Sequence, residues 1–180
     1  MATETTHRVQ YAIEELFSKA KGFFSPPEEA LLEVGIKQDW HVLDFGCGIG
    51  SYSLAAAKVI GDTGKVYAVD INPHALEHVK QAAVRGGLHN VETILTDCYT
   101  GIESESIDAV LLYDVFHDLC KPRQVINELA RVLKWEGVLS FSDHHLMEKS
   151  ILPGLAIGGR FTLLRKNFLT YTFKLSYGCA

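Results

Sequence analysis

Apolar residues follow two alternating periods along this chain. Short runs such as Val66-Tyr67-Ala68-Val69 are separated by longer stretches whose apolar residues recur every third or fourth position. The first kind predicts buried strands and the second amphipathic helices. From Trp40 onward the pattern predicts strand 41–45, helix 51–60, strand 65–70, a helix opened by Asn72 and Pro73 and running to Arg85, and strand 91–95. Strand 108–113, helix 122–134, strand 138–142 and two closing strands, 161–164 and 169–175, complete it. Upstream, Val9, Ile13, Leu16, Phe17 and Ala20 predict a helix over 8–22 that Gly22 ends. A second helix runs from Pro27 through Val34, with Ser25 or Pro26 at its cap. A further helix over 146–157 is interrupted by Pro153 and Gly154.

Strict alternation of strand and helix predicts an α/β fold: a doubly wound, mostly parallel sheet of seven strands with helices on both faces. Arg165-Lys166-Asn167 separates the closing strands closely enough for an antiparallel C-terminal pair. The whole chain, 1–180, reads as one domain, with 1–38 as a helical cap or lid and 39–180 as the core. Ligands of such sheets bind outside the carboxyl ends of the strands, where the strand order reverses.

The most informative strand end is Val42-Leu43-Asp44-Phe45-Gly46-Cys47-Gly48-Ile49-Gly50, a buried strand running into a glycine-rich turn and a helix from Ser51. The glycines permit a sharp turn and close approach to a ligand, and the helix N-terminus offers unpaired N–H groups. The next strand ends in Asp70, whose carboxylate can accept hydrogen bonds from both ribose hydroxyls of an adenosine-containing cofactor. A dinucleotide site needs G-x-G-x-x-G. Here the third glycine comes one residue early, and Asp44 stands where a carboxylate reaches a cationic ligand.

These residues resemble motif I of the class I S-adenosylmethionine-dependent methyltransferases, whose fold is Rossmann-like. The resemblance runs from about Trp40 to Phe173, and its most similar branch contains the ubiquinone- and menaquinone-biosynthesis methyltransferases. This chain is shorter than those, so their substrate is not carried over. The resemblance implies that S-adenosylmethionine is held by Asp44, Gly46, Cys47, Gly48 and Gly50, with Asp70 on the ribose and Ile71 against the adenine face. It also implies that Asp97 receives the adenine amino group, with Cys98 as a small wall residue whose N–H points at a ring nitrogen. Trp135-Glu136-Gly137 stands where the family turns into its fifth strand.

Tyr113-Asp114-Val115-Phe116-His117-Asp118 resembles motif IV, which faces the methyl group and the acceptor; Tyr113 is accordingly placed at the cofactor. The segment is not N-P-P-Y or D-P-P-Y, which argues against methylation of adenine in DNA or of protein glutamine. His117 has two readings, a general base or a packing histidine at a helix start. Asp143-His144-His145 follows the fifth strand as a polar rim facing the acceptor, with His144 or His145 as an alternative base. These side chains are of metal-ligand types, but they do not match the carboxylate arrangement of the family's metal-dependent branch, and no metal is assigned.

Composition narrows the partners. A net charge of -5 and a pI of about 5.9 disfavour a nucleic-acid or anionic-membrane surface, and no run is long enough to cross a bilayer. The four cysteines are scattered without a C-x-x-C pair, as in a reduced, cytoplasmic protein. The acceptor expected is a small molecule. Three other functions stay open. They are an NAD-dependent dehydrogenase, disfavoured by the glycine spacing and Asp44, an S-adenosylmethionine-binding protein without transferase activity, and a methyltransferase acting on a macromolecule. Oligomeric state is not fixed by the sequence.

Overall fold

The computed structural model of the protein describes residues 26–143 and 159–176. The predicted helices 8–22 and 146–157, and His144, lie outside them. Helix α1 (Pro27–Val34) starts with proline in its first turn and stops at Gly35, whose left-handed backbone returns its N–H to the carbonyls of Leu31 and Leu32. Then follow β1 (His41–Phe45), α2 (Ser51–Ile60), β2 (Lys65–Asp70), α3 (Pro73–Arg85), β3 (Val91–Leu95) and β4 (Ile107–Tyr113). A single 3-10 turn, Phe116–Asp118, leads to α4 (Pro122–Val132), β5 (Leu133–Ser142), β6 (Phe161–Lys166) and β7 (Tyr171–Leu175). Asn72 caps α3, its side chain accepting the His74 N–H.

The seven strands form one sheet in the order β3-β2-β1-β4-β5-β7-β6. β1 through β5 pair in parallel, and β7 is antiparallel to both β5 and β6. The order reverses between β1 and β4, so the loops after these two strands face each other across the cleft. Alternation along the strands fills two layers. Val42, Val66, Ala109, Leu111 and Tyr113 pack under α1 and α2. Leu43, Phe45, Val110 and Leu112 pack with Val125, Ile126, Leu129 and Val132 of α4 on the opposite face. Ala68 meets Leu76 and Val79 of α3. Among the described residues no helix is long and apolar enough to cross a membrane.

Several boundaries differ from the sequence reading, β4 beginning at Ile107 rather than 108 among them. The helix expected over 122–134 ends at Val132, and β5 begins at Leu133 rather than 138. Leu133 is fully buried and pairs with Ile107; pairing resumes at Val138 opposite Ala109, so residues 134–137, including the expected turn, bulge within the strand. A side chain at Gly137 would place a Cβ 2.7 Å from Leu133 Cδ1 and 3.0 Å from the Asp108 carbonyl. Asp108 anchors the bulge, taking Lys134 Nζ at 2.6 Å and the His41 N–H at 2.8 Å. The closing hairpin turns over 167–170 rather than 165–167, because the N–H groups of Leu169 and Thr170 bond to the carboxylate of Glu33.

Candidate functional site

The glycine loop is fastened to the end of β2. The N–H groups of Gly46 and Cys47 both donate to the Val69 carbonyl, at 2.8 and 2.9 Å. Gly46 has φ +79°, and a Cβ there would stand 2.4 Å from Val115 Cγ2. Gly50, at φ +83°, would meet Val79 Cγ2 at 2.6 Å. A Cβ on Gly48, by contrast, would meet nothing within 4 Å. Two of the glycines therefore serve packing, and the middle one borders open space.

Asp70 bridges the loop and the next helix. Its Oδ2 accepts the Gly48 N–H at 2.9 Å and its Oδ1 the Asn72 N–H at 2.8 Å. Each oxygen retains acceptor capacity, so the carboxylate is held in place with lone pairs left for a ligand. Asp44 is buried, and Ser53 Oγ donates to its Oδ2 at 2.5 Å. Burial pushes its pKa up to about 6; the Ser53 hydrogen bond opposes the rise and the Asp70 charge adds to it. The Cys47 thiol is also buried and pushed upward by burial, which makes it inert.

A cavity of about 130 Å³ opens beside this loop, walled by Gly46, Asp70, Ile71 and Asp97 and, from the segment after β4, by Val115, Asp118 and Leu119. Ile71 is 71% exposed, an apolar side chain at the wall awaiting cover. Asp97 Oδ2 pairs with Lys121 Nζ at 2.7 Å, and this hydrogen bond and charge hold the Asp97 carboxyl below the usual carboxylate range. Lys121 and its neighbour Cys120 line the cavity too. Neither was expected, because a residue ahead of a helix proline carries no signal of a partner far away in sequence. The Cys98 N–H, expected to face an adenine nitrogen, donates to Thr96 Oγ1 at 3.2 Å. The Cys98 side chain packs against the core on the α4 face.

Tyr113 departs from its expected place. It lies on the same side of β4 as Ala109 and Leu111, in the core under α1 and α2, and its hydroxyl donates to Ser140 Oγ at 2.7 Å. Its ring meets the edge of Tyr52, centroids 4.6 Å apart. Tyr52 has its phenol pushed up to about 12 by burial, then by the charges of Asp114 and Asp44.

Beyond β4, Asp114 adopts φ +50°, a left-handed conformation that a non-glycine residue holds at a cost of about 1–2 kcal/mol. The chain turns sharply there and lays Val115 on Gly46. The 3-10 turn then sets His117 over the end of β5. His117 Nδ1 lies 2.9 Å from Asp143 Oδ2 and 3.1 Å from Oδ1, and the His117 backbone N–H donates to Oδ2 at 3.1 Å. His117 Nε2 is 3.4 Å from Asp118 Oδ2. The Asp143 side chain is 0% exposed and that of His117 22%, so Asp143 is a buried support beneath the histidine rather than a rim residue.

A glycine turn after β1, a fixed acid at the end of β2 and a cavity at the point where the strand order reverses define an α/β domain that holds a nucleoside cofactor. Residues 36–168 match the family model described as a methyltransferase domain, and the chain belongs to that family. It is 27% identical to a "probable cobalt-precorrin-6B C(15)-methyltransferase (decarboxylating)" of Thermoplasma volcanium, over 86% of this chain and 88% of that protein. It is 24% identical to the demethylmenaquinone methyltransferase of Staphylococcus aureus, over 76% of this chain but only 58% of that one. A crystal structure of a SAM-dependent methyltransferase from Aquifex aeolicus superposes with a TM-score of 0.73 at 25% identity, over 88% of this chain and 95% of that chain. The protein is a class I S-adenosylmethionine-dependent methyltransferase, and S-adenosylmethionine is its cofactor.

Proposed function

We propose that the protein transfers the methyl group of S-adenosylmethionine to a small molecule, releases S-adenosylhomocysteine, and uses His117 as the base. The observation that carries this reading is that one segment, Val115 through Leu119, supplies both a wall of the cofactor cavity and the histidine. The residues present fit the cofactor. Asp70 retains lone pairs for the ribose, Ile71 offers an uncovered apolar face for the adenine, and Gly48 leaves the cleft open. Asp44 and the glycine loop would hold the methionine end, and Asp97 the adenine amino group. When bound, S-adenosylmethionine supplies an electrophilic methyl carbon on a positively charged sulfur.

The chain's own residues then orient the acceptor and accept its proton. Much of such a rate comes from alignment; His117 adds the removal of a proton. A small acceptor is supported by the acidic balance of the chain and by the names of the two relatives that it matches over most of its own length, which refer to a precorrin and a menaquinone precursor. Cys47, Cys98 and Cys120 are free thiols, in keeping with a cytoplasmic location. The five strands whose ends build the site, β1 to β5, share one sheet, which supports a single domain.

Parallel calorimetric titrations with S-adenosylmethionine, S-adenosylhomocysteine and NAD test the cofactor site, with binding of the first two alone expected. Incubation with methyl-labelled cofactor and a fractionated cell extract tests the acceptor. Label in the small-molecule fraction is expected. Label confined to RNA or protein overturns the small acceptor, and binding without any transfer favours a non-catalytic S-adenosylmethionine-binding protein.

A further inference from the structure

We propose that Asp143 is the positioning residue of this site: its buried carboxylate takes the Nδ1 proton of His117 and so presents Nε2, unprotonated, to the acceptor. The inference rests on the reading of His117 as the base and adds what that reading lacks, a reason for the ring to carry its proton on one nitrogen rather than the other.

Among the described residues two carboxylates face the ring, Asp143 from the end of β5 and Asp118 from the histidine's own turn. They are not equivalent. The Asp143 side chain is 0% exposed and that of Asp118 79%. Both Asp143 oxygens lie within hydrogen-bond reach of Nδ1, whereas Asp118 stands 3.4 Å from Nε2. Charge interactions strengthen where water is excluded and are screened where it is not. The proton of a neutral ring therefore goes to Nδ1, and a carboxylate so placed fixes both tautomer and ring orientation. Asp143 Oδ2 also takes the His117 backbone N–H, so one carboxylate sets the main chain and the side chain of the base together.

The proton balance follows. Where the attacking atom is oxygen or nitrogen, it carries the hydrogen that the base removes. As that atom's lone pair forms a bond to the methyl carbon, the carbon–sulfur bond breaks and its electron pair stays on sulfur. The heteroatom's proton moves to His117 Nε2. The ring becomes an imidazolium, and Asp143, remaining ionised, offsets its charge.

Long-range nitrogen–proton NMR of the full chain labelled with ¹⁵N-histidine tests this without a known acceptor, with H117Q used to assign the signal. Wild type is expected to show His117 protonated at Nδ1 and bare at Nε2. In D143N the Nε2-protonated tautomer of His117 is expected to appear, because the carboxylate that draws the ring proton to Nδ1 is gone. D143E should restore part of the Nδ1 preference. A wild-type His117 protonated at Nε2, or a tautomer unchanged in folded D143N, overturns the inference; the wild-type measurement decides even if D143N does not fold. The reading of His117 as the base fails separately, if H117Q transfers label at the wild-type rate in the extract assay.

Discussion

Glu33 in the last turn of α1 closes the β6–β7 hairpin. Its carboxylate accepts the Leu169 N–H at 3.0 Å, the Thr170 N–H at 3.0 Å and the Thr170 hydroxyl at 2.9 Å, while Arg165 donates to the Glu33 carbonyl at 2.6 Å. One side chain thus fastens the start of the described chain to its end. Charge-assisted bonds to a carboxylate are worth more than neutral ones, and deleting the acceptor strands two backbone donors. Glu33→Ala should cost roughly 2–4 kcal/mol of stability, and Glu33→Gln less. Urea unfolding measures both; a loss within 0.5 kcal/mol for the alanine variant, about that of a neutral surface change, would show the clasp to be incidental.

Asp44 sets a conflict between stability and binding. Burial raises its pKa from 3.8 to about 6, so the folded protein binds a proton more tightly than the unfolded chain between those values. Stability is then greatest below about pH 4 with respect to this group and declines as pH rises to 6, by on the order of 3 kcal/mol. Asp44→Asn should raise the Tm of the cofactor-free protein at pH 7.5 and weaken S-adenosylmethionine at the same pH. Scanning calorimetry and titration check the pair, and a lowered Tm contradicts the argument.

The same group should make cofactor binding pH-dependent. In the proposed site the cationic methionine end favours the ionised carboxylate, so affinity should fall as pH drops through about 6 and hold level above 7. In Asp44→Asn that slope should vanish. Titrations between pH 5 and 8 would show it; a slope retained in the variant assigns the effect to another residue.

Loss of Asp70 should act on both ligand and loop. Asp70→Ala removes the acceptor for the Gly48 and Asn72 N–H groups and, in the proposed function, for the ribose. S-adenosylmethionine affinity should drop roughly 30- to 1000-fold, as expected for losing charge-assisted bonds worth 2–4 kcal/mol. Unchanged binding by calorimetry would remove Asp70 from the cofactor site.

The glycine loop separates two costs. Gly46→Ala should lower stability, by about 2 kcal/mol or more, because the methyl group strikes Val115 and the backbone is left-handed. Gly48→Ala has room and should cost about 1–2 kcal/mol for its left-handed backbone, with its larger effect on cofactor affinity. Denaturation and binding, measured on each variant, should rank them oppositely.

What was legible in the sequence depended on local pattern. β1, α2, β2, α3 and β3 fall on their predicted bounds, because each announces itself through its own period and its own glycine or proline stops. The sequence reading failed where a distant partner decides. β5 begins early because Leu133 finds Ile107 across the sheet, and β7 begins late because Glu33 captures its first donors. The site divides the same way. Asp44, the glycines, Asp70 and Asp97 lie at or just after strand ends, as the local pattern placed them. Lys121 on Asp97, Tyr113 turned into the core and Asp143 beneath His117 are relations between segments, which no local window contains.

Val115 rests on Gly46, and this contact binds the composition of two loops together. A β-branched residue at 115 sets a ceiling over 46 that no side chain fits beneath, so the first glycine of the loop is dictated by the strand end across the cleft as much as by any ligand. Gly46→Ala should be tolerated better on a Val115→Gly background than alone, so a side chain at 46 must wait for a smaller one at 115, while 115 is free to shrink first.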